Sequence, residues 1–296
     1  MSFFQFTAVR RGLQFRFNAH LQFLGLDTMV PTMRRVLEKE IETEFERQYC
    51  WGDDERYFYS SNRRKASVFG YFLRIQEVLR FVQTYSPGRR IADFACAQGN
   101  FSLLLAEQGY DVTAIDIHPE FIKYATKKHT QGNFHPIQAN LMEFRNQEGF
   151  DCILAGEIIE HVAFPKQLIN SISSNLKPGG ICIITTPNGS DYSSNLPTFE
   201  QITDIEALIP RQFHWGDHLF LYTAEELRKL LTEVGLEVLH LEKYNSAYVS
   251  QLKAIRYFMP VRLLGWLEKK TRHLKKQGKD SSNLLIVVAR KPPKLT

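Results

Sequence analysis

The sequence predicts an α/β protein built on a doubly wound sheet, and three observations carry that reading. Residues 91–118 run as a short apolar strand (91–95), a turn of small residues, an apolar helical stretch (101–106) stopped by Gly109, and a second β-prone run (112–117) with Asp116 near its end. Further strand-like runs at 134–138, 150–156, 181–186, 236–244 and 284–289 follow, most of them separated by helical stretches. The composition is ordinary for a globular chain: 296 residues, 44% hydrophobic and 23% charged, room for one large domain with additions.

Residues 1–31 are rich in aromatics and arginine and show no clear period. Leu37, Ile41 and Phe45 recur at four-residue spacing between charges, which predicts an amphipathic helix over 33–49. The aromatic stretch 50–62 reads as a loop. A second helix is expected over 66–85, with Phe72, Ile75, Leu79 and Val82 on one face and Pro87-Gly88 after its end. Pro119 sits where a helix over 120–128 begins. Another helix is expected over 165–176, and Lys177-Pro178-Gly179-Gly180 then makes a tight turn into the strand at 181–186. Thr223 and Glu226 form a capping-box pair that starts a helix reaching Val234, and Gly235 closes it.

The chemistry concentrates where the first strand ends. A turn of small residues lets backbone N–H groups approach a ligand, and a carboxylate at the tip of the next strand accepts ribose hydroxyls. The ligand therefore contains a nucleoside. The turn is Ala95-Cys96-Ala97-Gln98-Gly99, not Gly-x-Gly-x-x-Gly, and two alanines obstruct the close approach that a pyrophosphate needs. A nicotinamide-dependent dehydrogenase is accordingly the weakest reading. If either alanine must take a positive φ, it costs on the order of 1 kcal/mol.

The stretch resembles motif I of the class I S-adenosylmethionine-dependent methyltransferases, Asp-x-Gly-x-Gly-x-Gly. Asp93 and Gly99 match, while Ala95 and Ala97 replace two glycines. The succession Glu157-x-x-Glu160-His161-Val162, Lys177-Pro-Gly-Gly, a strand, Pro187-Asn188 and an Asp217-His218 pair before the threonine-capped helix resembles the ubiquinone-pathway O-methyltransferase-like subgroup. The resemblance implies a seven-stranded Rossmann-like sheet in the order 3-2-1-4-5-7-6 with the last strand antiparallel. It implies an N-terminal helical extension or lid over 1–86, to which Tyr57 to Tyr59 would be suited. The methyltransferase domain would then be 87–296, with a basic helical insertion at 245–281.

The implied cofactor is S-adenosyl-L-methionine, bound by Asp93, Ala95, Cys96, Ala97, Gly99, Asp116, Ile117, Asn140, Leu141 and Glu157. Ile117 would lie against the adenine face and Asn140 would accept from the adenine amino group. His161, His218 and Glu157 are the candidates on the catalytic side, and the acceptor is expected to be an oxygen on a small molecule, a lipid or quinone, or a glycan precursor. This reading assigns no metal. Two others stay open. Glu157, Glu160 and His161 share one helical face, and with His214 or His218 they could hold a divalent ion, as in small-RNA 2′-O-methyltransferases. A catalytically silent binding module would follow if the two alanines shut the cofactor out.

Net charge is +5 but unevenly spread. Residues 253–279 hold nine Lys and Arg against one acid, Glu268, which leaves the rest of the chain net acidic. Ile255, Phe258, Met259, Leu263, Leu267 and Leu274 give that segment an apolar face, broken by Pro260 and edged with basic residues. Such a face suits contact with an anionic membrane or lipid. Nucleic acid is disfavoured, because Tyr257, Phe258 and Trp266 are not interleaved with the densest lysines. Four scattered cysteines without Cys-x-x-Cys, no apolar run of membrane-spanning length and no secretory pattern point to a cytoplasmic protein, peripheral to a membrane at most.

Overall fold

The computed structural model describes residues 32–60, 65–211, 217–259 and 261–293. Its central strand, β1 (Arg90–Phe94), pairs in parallel with β2 (Asp111–Asp116) on one side and β4 (Phe150–Gly156) on the other. With β3 (Asn133–Gln138), β5 (Leu176–Pro187), β6 (Glu237–Ser246) and β7 (Ser282–Arg290) the sheet has the order β3-β2-β1-β4-β5-β7-β6. Strand β7 runs antiparallel to both of its neighbours. Order and direction agree with the sequence reading. The chain reverses its winding between β1 and β4, and in such sheets the crevice beyond the carboxyl ends of those strands takes the ligand.

Helices cover both faces. On one, α1 (Ala66–Tyr85) buries Phe72, Ile75, Leu79 and Val82 beside Leu103, Leu104 and Leu105 of α2 (Asn100–Glu107). On the other, α4 (Pro165–Asn175) contributes Leu168, Ile169 and Ile172, and α5 (Ala224–Glu233) contributes Leu227, Leu230 and Leu231. The Thr223 hydroxyl accepts from the Glu226 amide at 3.1 Å and the Glu226 carboxylate accepts from the Thr223 amide, a capping box that sets where α5 begins. Pro119 opens α3 (Pro119–Lys128), where its missing N–H costs nothing. All four cysteines are free and buried.

Two expectations are corrected. The segment 33–43 is not helical apart from a short tight turn, Glu38–Glu40; wide helical turns come later, at Glu46–Trp51, which overlaps the end of the expected helix, and at Asp54–Phe58, within the stretch read as a loop. The amides of Thr32 and Met33 are taken by Glu107 of α2, and that of Arg34 by the Lys128 carbonyl, so this backbone is held open by distant partners. The turn Lys177–Gly180 is also part of β5, entering the ladder through a register shift against β4. Residues 1–31, part of the expected extension, and His214 lie outside the described residues.

The relocated turns are anchored by charge. Asp54 Oδ2 accepts from Lys128 Nζ at 2.6 Å with both side chains essentially inaccessible to solvent, and Asn100 Nδ2 donates to Asp54 Oδ1 at 2.8 Å. Burial pulls the Lys128 pKa down, and Asp54 works against that. Removing one member strands the other. Lys128→Ala should therefore lower stability by about 3–5 kcal/mol in urea unfolding, against far less for exposed Lys123→Ala.

Candidate cofactor and acceptor site

After β1 the backbone turns left-handed at every second residue: φ is 57° at Ala95, 46° at Ala97 and 72° at Gly99. Each alanine carries a cost of roughly 1 kcal/mol, so the turn needs outside support. The Cys96 amide donates to the Ile115 carbonyl at 3.1 Å, and the Ala97 amide to Asp116 Oδ2 at 3.0 Å. Oδ1 of Asp116 accepts from the His118 amide at 3.0 Å. The carboxylate is thereby fixed, yet it lines the cavity, and each oxygen keeps lone-pair capacity for a hydroxyl. Burial pushes the Asp116 pKa up, and the amide donors pull it back.

A cavity of about 490 Å³ opens over the tips of β1, β2 and β4. Of the residues expected at the cofactor, Asp93, Ala95, Cys96, Ala97, Asp116, Ile117, Asn140, Leu141 and Glu157 line it. Gly99 is not among the lining residues. It stands behind the turn, where an added Cβ would meet the Ala125 Cβ at 2.7 Å. Ile117 is 39% exposed, an aliphatic side chain left open at the rim. Asn140 Oδ1 already accepts from the Met142 amide at 3.0 Å, which leaves it one lone pair for a ligand amino group.

Sequence reasoning missed Arg74. Helix α1 turns it toward Glu157, with Nη1 at 3.3 Å from Glu157 Oε2. Glu157 follows β4 with φ 55°, its amide donating to the Thr185 carbonyl at 2.9 Å. Nε of Arg74 and Oε1 of Glu157 are buried without a hydrogen-bond partner. Orphaned atoms of opposite sign lining one cavity match a zwitterion, the carboxylate going to arginine and the ammonium to glutamate. Asn245 was also missed. Its φ is 63°, its amide donates to Glu268 Oε1 at 2.8 Å, and its own Oδ1 is buried and unpaired in the cavity wall.

His161 and His218 line the same cavity, ring centroids 4.9 Å apart. Nδ1 of His161 lies 2.9 Å from the Asp217 carbonyl oxygen, so this nitrogen carries the proton and Nε2 is left as an acceptor. Burial and then His218 lower the His161 pKa. Glu160 lies beneath them, fully buried, with Oε2 accepting from the Thr186 hydroxyl at 3.0 Å and Oε1 unpaired. Burial, then Glu157, raises its pKa. Ligand atoms of Glu160, His161 and His218 lie within 4.8 Å of one another.

A fixed carboxylate at the tip of β2 and the Arg74–Glu157 pair, with an orphaned atom on each, line one crevice at the point where the sheet reverses its winding. Such a crevice in a seven-stranded sheet of this order places the chain in the class of S-adenosylmethionine-dependent methyltransferases. The chain belongs to the methyltransferase-domain family, whose model matches residues 63–241. It is similar to the ubiquinone biosynthesis O-methyltransferase of Rickettsia prowazekii, 31% identical over 159 residues covering 52% of this chain and 60% of that protein. The protein of the same name from Psychrobacter arcticus is 29% identical over 156 residues, covering 50% and 59%. The chain thus spans about three fifths of the length of these curated relatives. Its fold is similar to those of methyltransferase structures from Archaeoglobus fulgidus (TM-score 0.53, 17% identity, 82% and 100% covered) and Mesorhizobium loti (0.51, 19%, 73% and 96%).

Asp93 gives this site a pH signature. Burial pushes its carboxyl up to about 7, against the Ser102 hydroxyl, which donates to it at 2.5 Å. Between the ordinary value of 3.8 and about 7 the folded chain holds a proton that the unfolded chain has released. The stability this proton supplies is full in acid and is lost as pH rises toward 7, at about 1.4 kcal/mol per pH unit. From about pH 5 to about pH 7, urea unfolding should show the parent losing about 2 kcal/mol relative to Asp93→Asn.

Proposed function

We propose that the chain is an O-methyltransferase whose acceptor is a hydroxyl on a quinone precursor or a similar aromatic lipid. The observation that carries this reading is His161, with Nδ1 committed to the Asp217 carbonyl and Nε2 free beside the cavity. A neutral imidazole held in one tautomer is a base, and an alcohol or phenol needs one where an amine does not. The relatives' printed names supply the acceptor class.

S-adenosylmethionine, when bound, supplies a methyl group on a cationic sulfur, open to in-line displacement. Asp116 would hold the ribose hydroxyls, Ile117 the adenine face, Asn140 the adenine amino group, and Arg74 and Glu157 the amino-acid end. Ile158, Val162 and Leu284 give the remaining wall an apolar character, and Tyr57 and Tyr71 from the N-terminal part close over it. We read residues up to 86 as the lid and 87–296 as the methyltransferase domain. Alignment and exclusion of water then contribute most of the rate, and His161 takes the proton from the acceptor hydroxyl.

A second reading has its own observation: the Glu160, His161 and His218 ligand atoms within 4.8 Å of one another, with Glu160 Oε1 unpaired. A divalent ion held there would favour an RNA ribose hydroxyl as acceptor. One experiment separates the two readings. The full chain is incubated with radiolabelled S-adenosylmethionine and either a prenylated catechol or a small RNA, with and without EDTA. Label in the catechol, insensitive to EDTA, is expected. His161→Gln should lower kcat by on the order of 10²-fold and leave the KM for the cofactor unchanged. Because the base must be neutral and its pKa is lowered, the acid limb of the kcat profile should lie below 6.5. Label confined to RNA and abolished by EDTA would contradict the proposal and favour the metal.

A further inference from the structure

The basic insertion carries a helix, α7 (Val261–Thr271), preceded by α6 (Lys253–Phe258), and the two faces of α7 differ in kind. Its inner face is committed to the fold. Leu264 is buried in the core, and Glu268 is fully buried beside Arg272. Arg272 reaches back to Glu77 of α1 at 3.2 Å and to Glu242 of β6. Glu268 also accepts the amide of Asn245, which lines the cavity. The helix is thus rigidly joined to the wall of the site.

Its outer face presents Leu263 and Trp266, 42% and 53% exposed, with Lys270 one turn beyond and its Nζ 6.0 Å from the centre of the Trp266 ring. Lys269 is exposed beside it, and Lys253, Lys275 and Lys279 are exposed before and after the helix. The only acid between 253 and 279 is Glu268, which points inward, so the charges this segment presents to solvent are all positive.

An exposed leucine and tryptophan within a field of lysines, with no acid among them, is the pattern of an interfacial helix on an anionic bilayer. We infer that α7 docks the enzyme on an anionic membrane, with Leu263 and Trp266 entering the headgroup region and Lys269 and Lys270 meeting lipid phosphates. A second copy of the chain fits less well, because a two-fold contact through this face would set lysines against lysines. RNA would leave Leu263 without a partner. No helix among the described residues is long and apolar enough to cross a membrane, so the contact is peripheral. The inference does not depend on which acceptor is methylated.

Flotation of the full chain with phosphatidylcholine vesicles, with and without phosphatidylglycerol, tests it. Binding should require phosphatidylglycerol and weaken as salt is raised, an arm that needs no variant. Lys269→Gln with Lys270→Gln should reduce partitioning by roughly 25-fold, about fivefold per lysine. Leu263→Ser with Trp266→Ser should abolish it while near-ultraviolet circular dichroism shows the fold intact. The inference is overturned if neither vesicle binds, if both bind equally, or if binding survives both pairs of substitutions. It is also overturned if α7 substitutions abolish self-association or RNA retention instead of vesicle binding.

Discussion

The hydrogen bond from the Ala97 amide to Asp116 Oδ2 joins the turn after β1 to the tip of β2. It supports a backbone that two alanines would otherwise leave, since both sit at positive φ. It also fixes the Asp116 carboxylate in the cavity wall. Without it Asp116 would keep only the His118 amide, and the turn only the bond from the Cys96 amide to the Ile115 carbonyl. A glycine-rich turn reaches this shape at little steric cost, whereas here the shape is maintained by what surrounds it. Gly99, packed against Ala125 of α3, holds the other end.

Around that bond the site is a collection of charges kept where water would not choose to leave them. Asp93 and Asp116 are raised by burial, Glu160 by burial and Glu157, and Arg74 and Glu157 each keep an unpaired atom. A fold selected for stability alone would not leave so many polar groups incompletely paired along one cavity. The buried Lys128–Asp54 pair serves differently. It has its partners in full and holds the N-terminal turns over the cavity, where Tyr57 becomes part of the wall.

Much of this was legible in the sequence because it is local. The strands are short apolar runs between turns, the capping box at Thr223 and Glu226 is three residues long, and the small-residue turn lies beside its helix. What was not legible depends on partners far along the chain. The spacing of Leu37, Ile41 and Phe45 is helical, but Leu37 is 52% exposed, because the backbone just before it bonds to Glu107 and Lys128. Arg74 has no motif around it, and its role depends on Glu157, 83 positions away. Asn245 would have needed knowledge of Glu268 and of its own left-handed backbone. Gly99 matched a motif position, yet it acts through helix packing and not as part of the cavity wall.

Binding to the crevice is the claim on which the rest depends, and calorimetry tests it without any acceptor. Titrating S-adenosylhomocysteine into the full chain should give a saturable, one-to-one heat that Asp116→Ala largely removes. A folded chain that gives no heat, or one whose binding is indifferent to Asp116, would contradict it.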